Sequence, residues 1–263
     1  MLKRELKINL KNFIIWTSIL LLLFLVVYLI YPYIITSDNI KMIDEMIKIF
    51  PPEMLKAFNM DIASMDSAFG WLKTEGFVFL LLNVGVYASI MGSNILLKEE
   101  SDKTIEYLNT LPIKRRKILF DKVICSVIYI VLMIVIIGIF NYIGLTLSGD
   151  FDRKQYLLLS ITPLFSALPL FSISLFISTF NKKTKKTIGI SLWISLVSYF
   201  LQILSEMNEK TEIFKYFTPY TLSDIRNVIT DISINPVMII ISFLITIIFI
   251  ILSFIKYEKK ELI

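Results

Sequence analysis

The residues able to do chemistry in this chain of 263 are few and badly placed for it. Histidine is absent and there is one cysteine, Cys125. That removes imidazole acid-base chemistry, zinc sites built on Cys and His, and any disulfide within the chain. The carboxylates lie between long apolar runs or at their ends, never as a pair inside one, so no nucleophile stands beside a base and none is oriented by a third group. No Gly is followed by Lys, so the phosphate-cradling loop Gly-x-x-x-x-Gly-Lys-Ser/Thr is missing. The chain is expected to carry no catalytic residue, no metal site and no cofactor of its own. If ATP drives it, another polypeptide binds the nucleotide.

The polar residues that do fall inside apolar runs are uncharged: Asn83, Ser89, Ser93 and Asn94, then Asn141, then Ser166, Ser172, Ser174 and Ser178. Two roles fit them. One is hydrogen bonding between helices, the usual role of such groups in a membrane. The other is a lining for a substrate path, for which Asn83, Gly85, Gly92, Asn94 and Asn141 are the candidates. Gly85 and Gly92 are seven apart on a helix and lie near one face, where another helix could approach closely.

The elements that must position these groups follow from hydropathy. The chain is 56% hydrophobic with a mean hydropathy of +0.73, beyond the roughly 45 to 50% apolar content of soluble domains. A spanning helix needs about 20 mostly apolar residues. Six runs free of Asp, Glu, Lys and Arg meet that length: Asn12 to Ser37, Gly76 to Leu97, Val123 to Gly149, Gln155 to Asn181, Thr187 to Ser205 and Ile232 to Ile255. The fold class predicted is an all-α polytopic membrane protein with six transmembrane helices in one domain. The spans centre on 13–35, 76–97, 123–147, 156–180, 187–205 and 233–255. The first run is too long for a secretory signal and reads as a retained helix. The fifth carries Ser191, Ser195, Ser198 and Gln202, a polar face suited to other helices rather than lipid. Pro163 and Pro169 are expected to kink the fourth, and Pro236 to sit near the start of the sixth, where proline costs little.

Charge sets the orientation, since Lys and Arg collect on the cytoplasmic side. Eighteen of the 27 basic residues fall in one alternating set of loops, which includes Lys3, Arg4, Lys7, Lys11, the cluster Lys114 to Lys117, Lys122, Lys182 to Lys186 and Lys256 to Lys260. The predicted arrangement has both termini in the cytoplasm. The basic residues flank spans instead of forming a patch interleaved with aromatics, so the net charge of +5 points to lipid head groups and not to nucleic acid. Abundant Ile and Lys fit a low-GC bacterial genome and hence a plasma membrane.

Three segments outside the spans are long enough for structure of their own. Residues 38–75 place Ile40, Ile43, Ile47 and Phe50 at helical spacing before Pro51-Pro52, as either an interfacial helix or a gate over an exit path. Residues 206–231 run through Phe214, Tyr216, Phe217 and Tyr220, aromatics suited to the headgroup level, into a helix capped by Thr221 or Ser223. Residues 98–122 begin acidic (Glu99, Glu100, Asp102, Glu106), carry an apolar stripe of Ile105, Leu108 and Leu111, break at Pro112, and turn basic at Lys114, Arg115, Arg116 and Lys117. Such a helix would lie flat under the membrane.

This last segment resembles the cytoplasmic signature of type 2 ABC exporter permeases, in which acidic residues lead into Thr-Ile/Leu-Glu, a Leu-Pro-Ile turn, basic residues and a Lys. Here these are Glu99, Glu100, Thr104, Ile105, Glu106, Leu108, Leu111, Pro112, Ile113, Arg115, Arg116 and Lys122, with Lys103 where the family often has Gly. The resemblance implies a coupling helix between spans two and three that sits in a groove of a separate ATPase subunit. Glu99, Glu100, Asp102, Thr104, Glu106, Leu108 and Pro112 would form that interface. ATP and Mg would then sit on the partner, and two permease chains with two ATPase chains would make the working unit. A charge-free span surface suits a hydrophobic or amphipathic cargo, such as a peptide, antibiotic or lipid-like molecule, moved out of the cell. The competing function is a non-pumping membrane immunity or sensor protein that binds such a peptide. A secondary transporter is disfavoured, since internal repeats and buried charges in the runs are lacking.

Overall fold

The computed structural model describes residues 1–34, 67–101, 113–207 and 209–260. The expected amphipathic stretch at Ile40 to Phe50 lies outside them, as do Asp102, Thr104, Glu106, Leu108 and Pro112 of the inner segment. The described residues form helices and short connections, and six of the helices are long and apolar enough to cross a membrane.

Helix α1 (Leu2–Ile34) is unbroken for 33 residues. At 1.5 Å per residue it is about 50 Å long, well beyond a hydrocarbon core of about 30 Å. The next span begins before the charge-free run does. Ser67 caps α2 (Ala68–Trp71), accepting from the Gly70 N–H at 3.0 Å. A π-helical turn, Leu72–Gly76, then leads directly into α3 (Phe77–Ser101). Lys73 and Glu75 are carried in this turn; the Lys73 ammonium lies 4.8 Å from the centre of the Phe69 ring. Charges near a helix end can stay helical in this way, so hydropathy places the start late.

Helix α4 (Arg115–Ser148) ends at Gly149, whose φ of 145° suits glycine and whose N–H returns to Leu145 O at 3.1 Å. The fourth span is two helices. Helix α5 (Arg153–Ile161) is capped by the Asp152 side chain, and α6 (Pro163–Phe180) starts at its own proline. Pro163 therefore occupies a first-turn position, where the missing N–H costs nothing. Pro169 is inside α6 and cannot donate to the carbonyl four residues back, Phe165. That carbonyl accepts the Ser242 hydroxyl at 2.7 Å instead.

Helix α7 (Thr184–Met207) buries Thr187, Ser191, Ser195, Ser198, Gln202 and Ser205, and turns Trp193, Leu196 and Phe200 outward. This is the polarity expected of a helix whose outer solvent is lipid. Two 3₁₀ segments follow, Glu209–Phe217 and Pro219–Ser223, then α8 (Arg226–Asp231) and α9 (Pro236–Glu258), which Asn235 caps. Neither Thr221 nor Ser223 caps α8. The helix starts at Arg226, Asp224 accepts the Arg226 N–H at 2.9 Å, and the Ser223 hydroxyl is spent on Thr162 O at 2.7 Å. The aromatic segment divides: Tyr216 and Phe217 are exposed, while Tyr220 is fully buried.

Helices α3 and α6 form the centre and pack most extensively on each other; α9 lies against α6, α7 against α3, and α1 against α4. The main core joins Leu20 and Phe24 of α1, Tyr87 and Met91 of α3, Ile130 and Met133 of α4, and Phe171 of α6.

Candidate coupling site at one end of the bundle

Six helix ends meet at one end of the bundle: the start of α1, the end of α3, the start of α4, the end of α6, the start of α7 and the end of α9. Their polar bonds show it. The Lys260 ammonium reaches Glu100 at 2.8 Å and the Asn181 carbonyl at 2.8 Å. Arg115 donates to Lys260 O at 2.8 Å, and Arg116 pairs with Glu258. Thr184 donates to Leu97 O at 3.1 Å, and its hydroxyl also meets that of Ser101. The six spans therefore alternate in direction, and the basic residues that set the predicted orientation belong to this end.

The deepest group here is Lys122. Its ammonium lies 2.7 and 2.8 Å from the two Glu99 oxygens, 2.7 Å from Ile95 O and 3.4 Å from Glu5. The side chains of Lys122, Glu5 and Glu99 are 1, 2 and 5% exposed. Asp121, beside it, takes Lys117 at 2.9 Å and faces the chain's amino group at 3.9 Å. Asn9 donates to Glu5 O at 2.9 Å, and the Tyr129 hydroxyl donates to Leu6 O.

Of the predicted coupling residues, Glu99 and Glu100 are thus placed inside the protein, each committed to a lysine. Glu5 and Lys260 are functional candidates that hydropathy and motif reasoning passed over. Glu5 is the one carboxylate among Lys3, Arg4, Lys7 and Lys11, and that isolation was its only signal.

The second predicted set is dispersed. A Cβ at Gly92 would lie 2.3 Å from Phe171 O, so α3 and α6 touch backbone to backbone there. Gly85 faces Tyr220 instead, whose hydroxyl would be 2.3 Å from an added Cβ and is bonded to Ser195 at 2.8 Å. Asn83 is half-buried and returns its amide to Phe79 O at 2.9 Å; Asn94 is also half-buried. Asn141 is buried on α4, with Leu80, Gly138 and Tyr156, around a cavity of about 10 Å³, the space of one water. A larger groove, about 510 Å³, opens between α1 and α4 and is lined by Leu25, Tyr28, Leu29, Phe140, Ile143 and Leu147 among others, none of them charged. At the opposite end of the bundle, Lys215 holds the exposed Glu212 carboxyl below its usual range, chiefly through their 2.6 Å hydrogen bond. Among the described residues no group of His, Cys, Asp and Glu could hold a metal ion.

The described residues form an all-helical bundle with six alternating helices long and apolar enough to cross a membrane. Residues 2–262 match the ABC-2 family transporter protein family. The chain belongs to that family and is the membrane component of an ABC transporter. No curated protein matches it, and no solved structure does.

Proposed function

We propose that this chain is the membrane-spanning subunit of an ATP-driven exporter that moves a hydrophobic or amphipathic cargo out of the cell. The observation that carries the reading is family membership over nearly the whole chain. In support, the gathered helix ends bring the basic residues to one end of the bundle, which makes that end cytoplasmic by the usual charge bias. The connection 102–112 leaves α3 and enters α4 at this end and is the docking element for a separate ABC ATPase, with Asp102, Thr104, Glu106, Leu108 and Pro112 as its contacts. Glu99 and Glu100 act behind it, holding the helix that carries it. A second permease chain completes the unit. The charge-free lining of the α1–α4 groove favours a peptide, antibiotic or lipid-like cargo over a sugar or an ion.

The test is purification of the tagged chain from its host in mild detergent, beside a variant with Asp102→Ala, Glu106→Ala and Leu108→Ala. The expected result is an ABC ATPase that accompanies the native chain and is lost from the variant. A native chain that purifies without an ATPase would sink the exporter reading and favour sequestration of a peptide without pumping.

A further inference from the structure

Lys122 invites a question that the docking of an ATPase does not answer. An ammonium removed from water must be paired, and this one is paired from two other helices: Glu99 and Ile95 O of α3, and Glu5 of α1. Such an arrangement is a poor way to gain stability, because desolvating three charges offsets much of their attraction, and apolar residues of similar volume often do as well. What it supplies is direction. Apolar contacts slide, whereas a buried ammonium between two carboxylates has one register.

The two arms are unequal. Glu99 grips with both oxygens at 2.7 and 2.8 Å, while Glu5 reaches with one at 3.4 Å, and its other oxygen has no hydrogen-bond partner among the described residues. The α3–α4 clamp is therefore firm and the α1 arm is the looser one. Of the other groups around the triad, Arg4, the residue before Glu5, keeps a buried guanidinium nitrogen with no hydrogen-bond partner among the described residues, while the others are engaged. Asp121 holds Lys117 and faces the amino terminus, Glu100 holds Lys260, and Tyr129 bonds Leu6 O. Arg4 is carried by α1 itself, so it cannot tie that arm to α3 or α4 as Lys122 does. Glu99 and Lys122 stand on either side of the connection 102–112.

We propose that Lys122 is a positioning residue: through Glu5 and Glu99 it yokes the start of α1 to the end of α3 and the start of α4. Displacement of the α3–α4 connection is thereby delivered to the first span instead of being absorbed locally. This rests on the exporter reading for its purpose, but the yoke itself can be measured without an ATPase.

The experiment uses the full chain in lipid nanodiscs, alone and with its co-purifying ATPase, with Cys125→Ser and spin labels at Lys7→Cys on α1 and Phe120→Cys on α4. The unsubstituted triad should give one narrow distance distribution, and Lys122→Arg should keep it. Lys122→Met should at least double its width and, in the complex, reduce the change in label distance on adding ATP by tenfold or more while the ATPase remains bound. The exchange Glu99→Lys with Lys122→Glu keeps one cation between two carboxylates and should restore both readouts. An unchanged width in Lys122→Met, or a broadening that the exchange fails to reverse, overturns the proposal. Absence of any ATPase from the native preparation overturns the exporter reading instead, and the label distances still decide the yoke.

Discussion

Replacing Gly92 with alanine tests the central contact of the bundle. The added Cβ would sit 2.3 Å from Phe171 O and 3.0 Å from both Leu175 N and Ser174 Cβ. A carbon-to-carbonyl contact is comfortable at about 3.3 Å, so α3 and α6 must part by about 1 Å. The obstacle is helix backbone, which cannot swing aside as a side chain tip could. A radial gap of that size forfeits about a quarter to a half of the dispersion energy along the contact, and overpacking of this kind costs roughly 1–3 kcal/mol. Because the neighbour is backbone, the cost falls in the upper part of that range, about 2–3 kcal/mol; alanine returns about 1 kcal/mol of helix propensity, leaving a net loss of about 1–2 kcal/mol. Gly189 on α7 is the internal control, since none of the described residues lies within 4 Å of a Cβ there, and Gly189→Ala should show the propensity gain alone. In a detergent melting experiment followed by size exclusion, Gly92→Ala should melt about 2–8 °C below the native protein, at roughly 2–4 °C per kcal/mol. Gly189→Ala should match the native protein or exceed it. Equal melting of the two variants would refute the backbone-to-backbone contact and with it the α3–α6 register.

Ser242→Ala should cost about 1 kcal/mol by stranding the Phe165 carbonyl, and that cost should largely vanish in a Pro169→Ala background, where the restored N–H takes the same carbonyl; a cycle of four melting curves reads the coupling. Tyr220→Phe removes the bond to Ser195 and should lower stability by about 0.5–1.5 kcal/mol, whereas Tyr216→Phe, on an exposed ring, should leave it unchanged. Membrane-impermeant thiol labelling of intact cells should modify Asp150→Cys and spare Lys182→Cys, both in the Cys125→Ser background. The reverse pattern would invert the proposed orientation.

Much of this protein is written in local composition. A run of 20 apolar residues lowers its free energy by leaving water whatever surrounds it, so the existence and number of the spans can be read residue by residue. The same holds for the missing phosphate loop, for the charge bias that separates the two ends, and for the polar stripe of α7, whose positions Thr187, Ser191, Ser195, Ser198 and Gln202 recur at helical spacing. The family was legible too, because the acidic start, proline break and basic end of Glu99 to Lys122 resemble the signature of the family to which the chain belongs. Helix starts were read less well. Ala68 begins its helix eight residues before the charge-free run because capping by Ser67 is a geometric fact that hydropathy does not count.

What only the tertiary structure decided is who meets whom. Glu5 and Lys122 are 117 residues apart, and the local sequence around Glu5 reads as a basic, solvated start. Nothing near it announces a buried lysine brought in on the third span. Glu99 reads in the sequence as a contact for a separate ATPase subunit, and only the packing of α3 against α4 places it on Lys122. Pro169 implied an orphaned carbonyl, but that Ser242 would satisfy it depends on how α9 lies against α6. Hydrophobic burial sums over a segment and is fixed by composition, whereas a hydrogen bond or an ion pair needs two groups within about 3 Å of each other. That distance is set by the packing of helices remote in sequence.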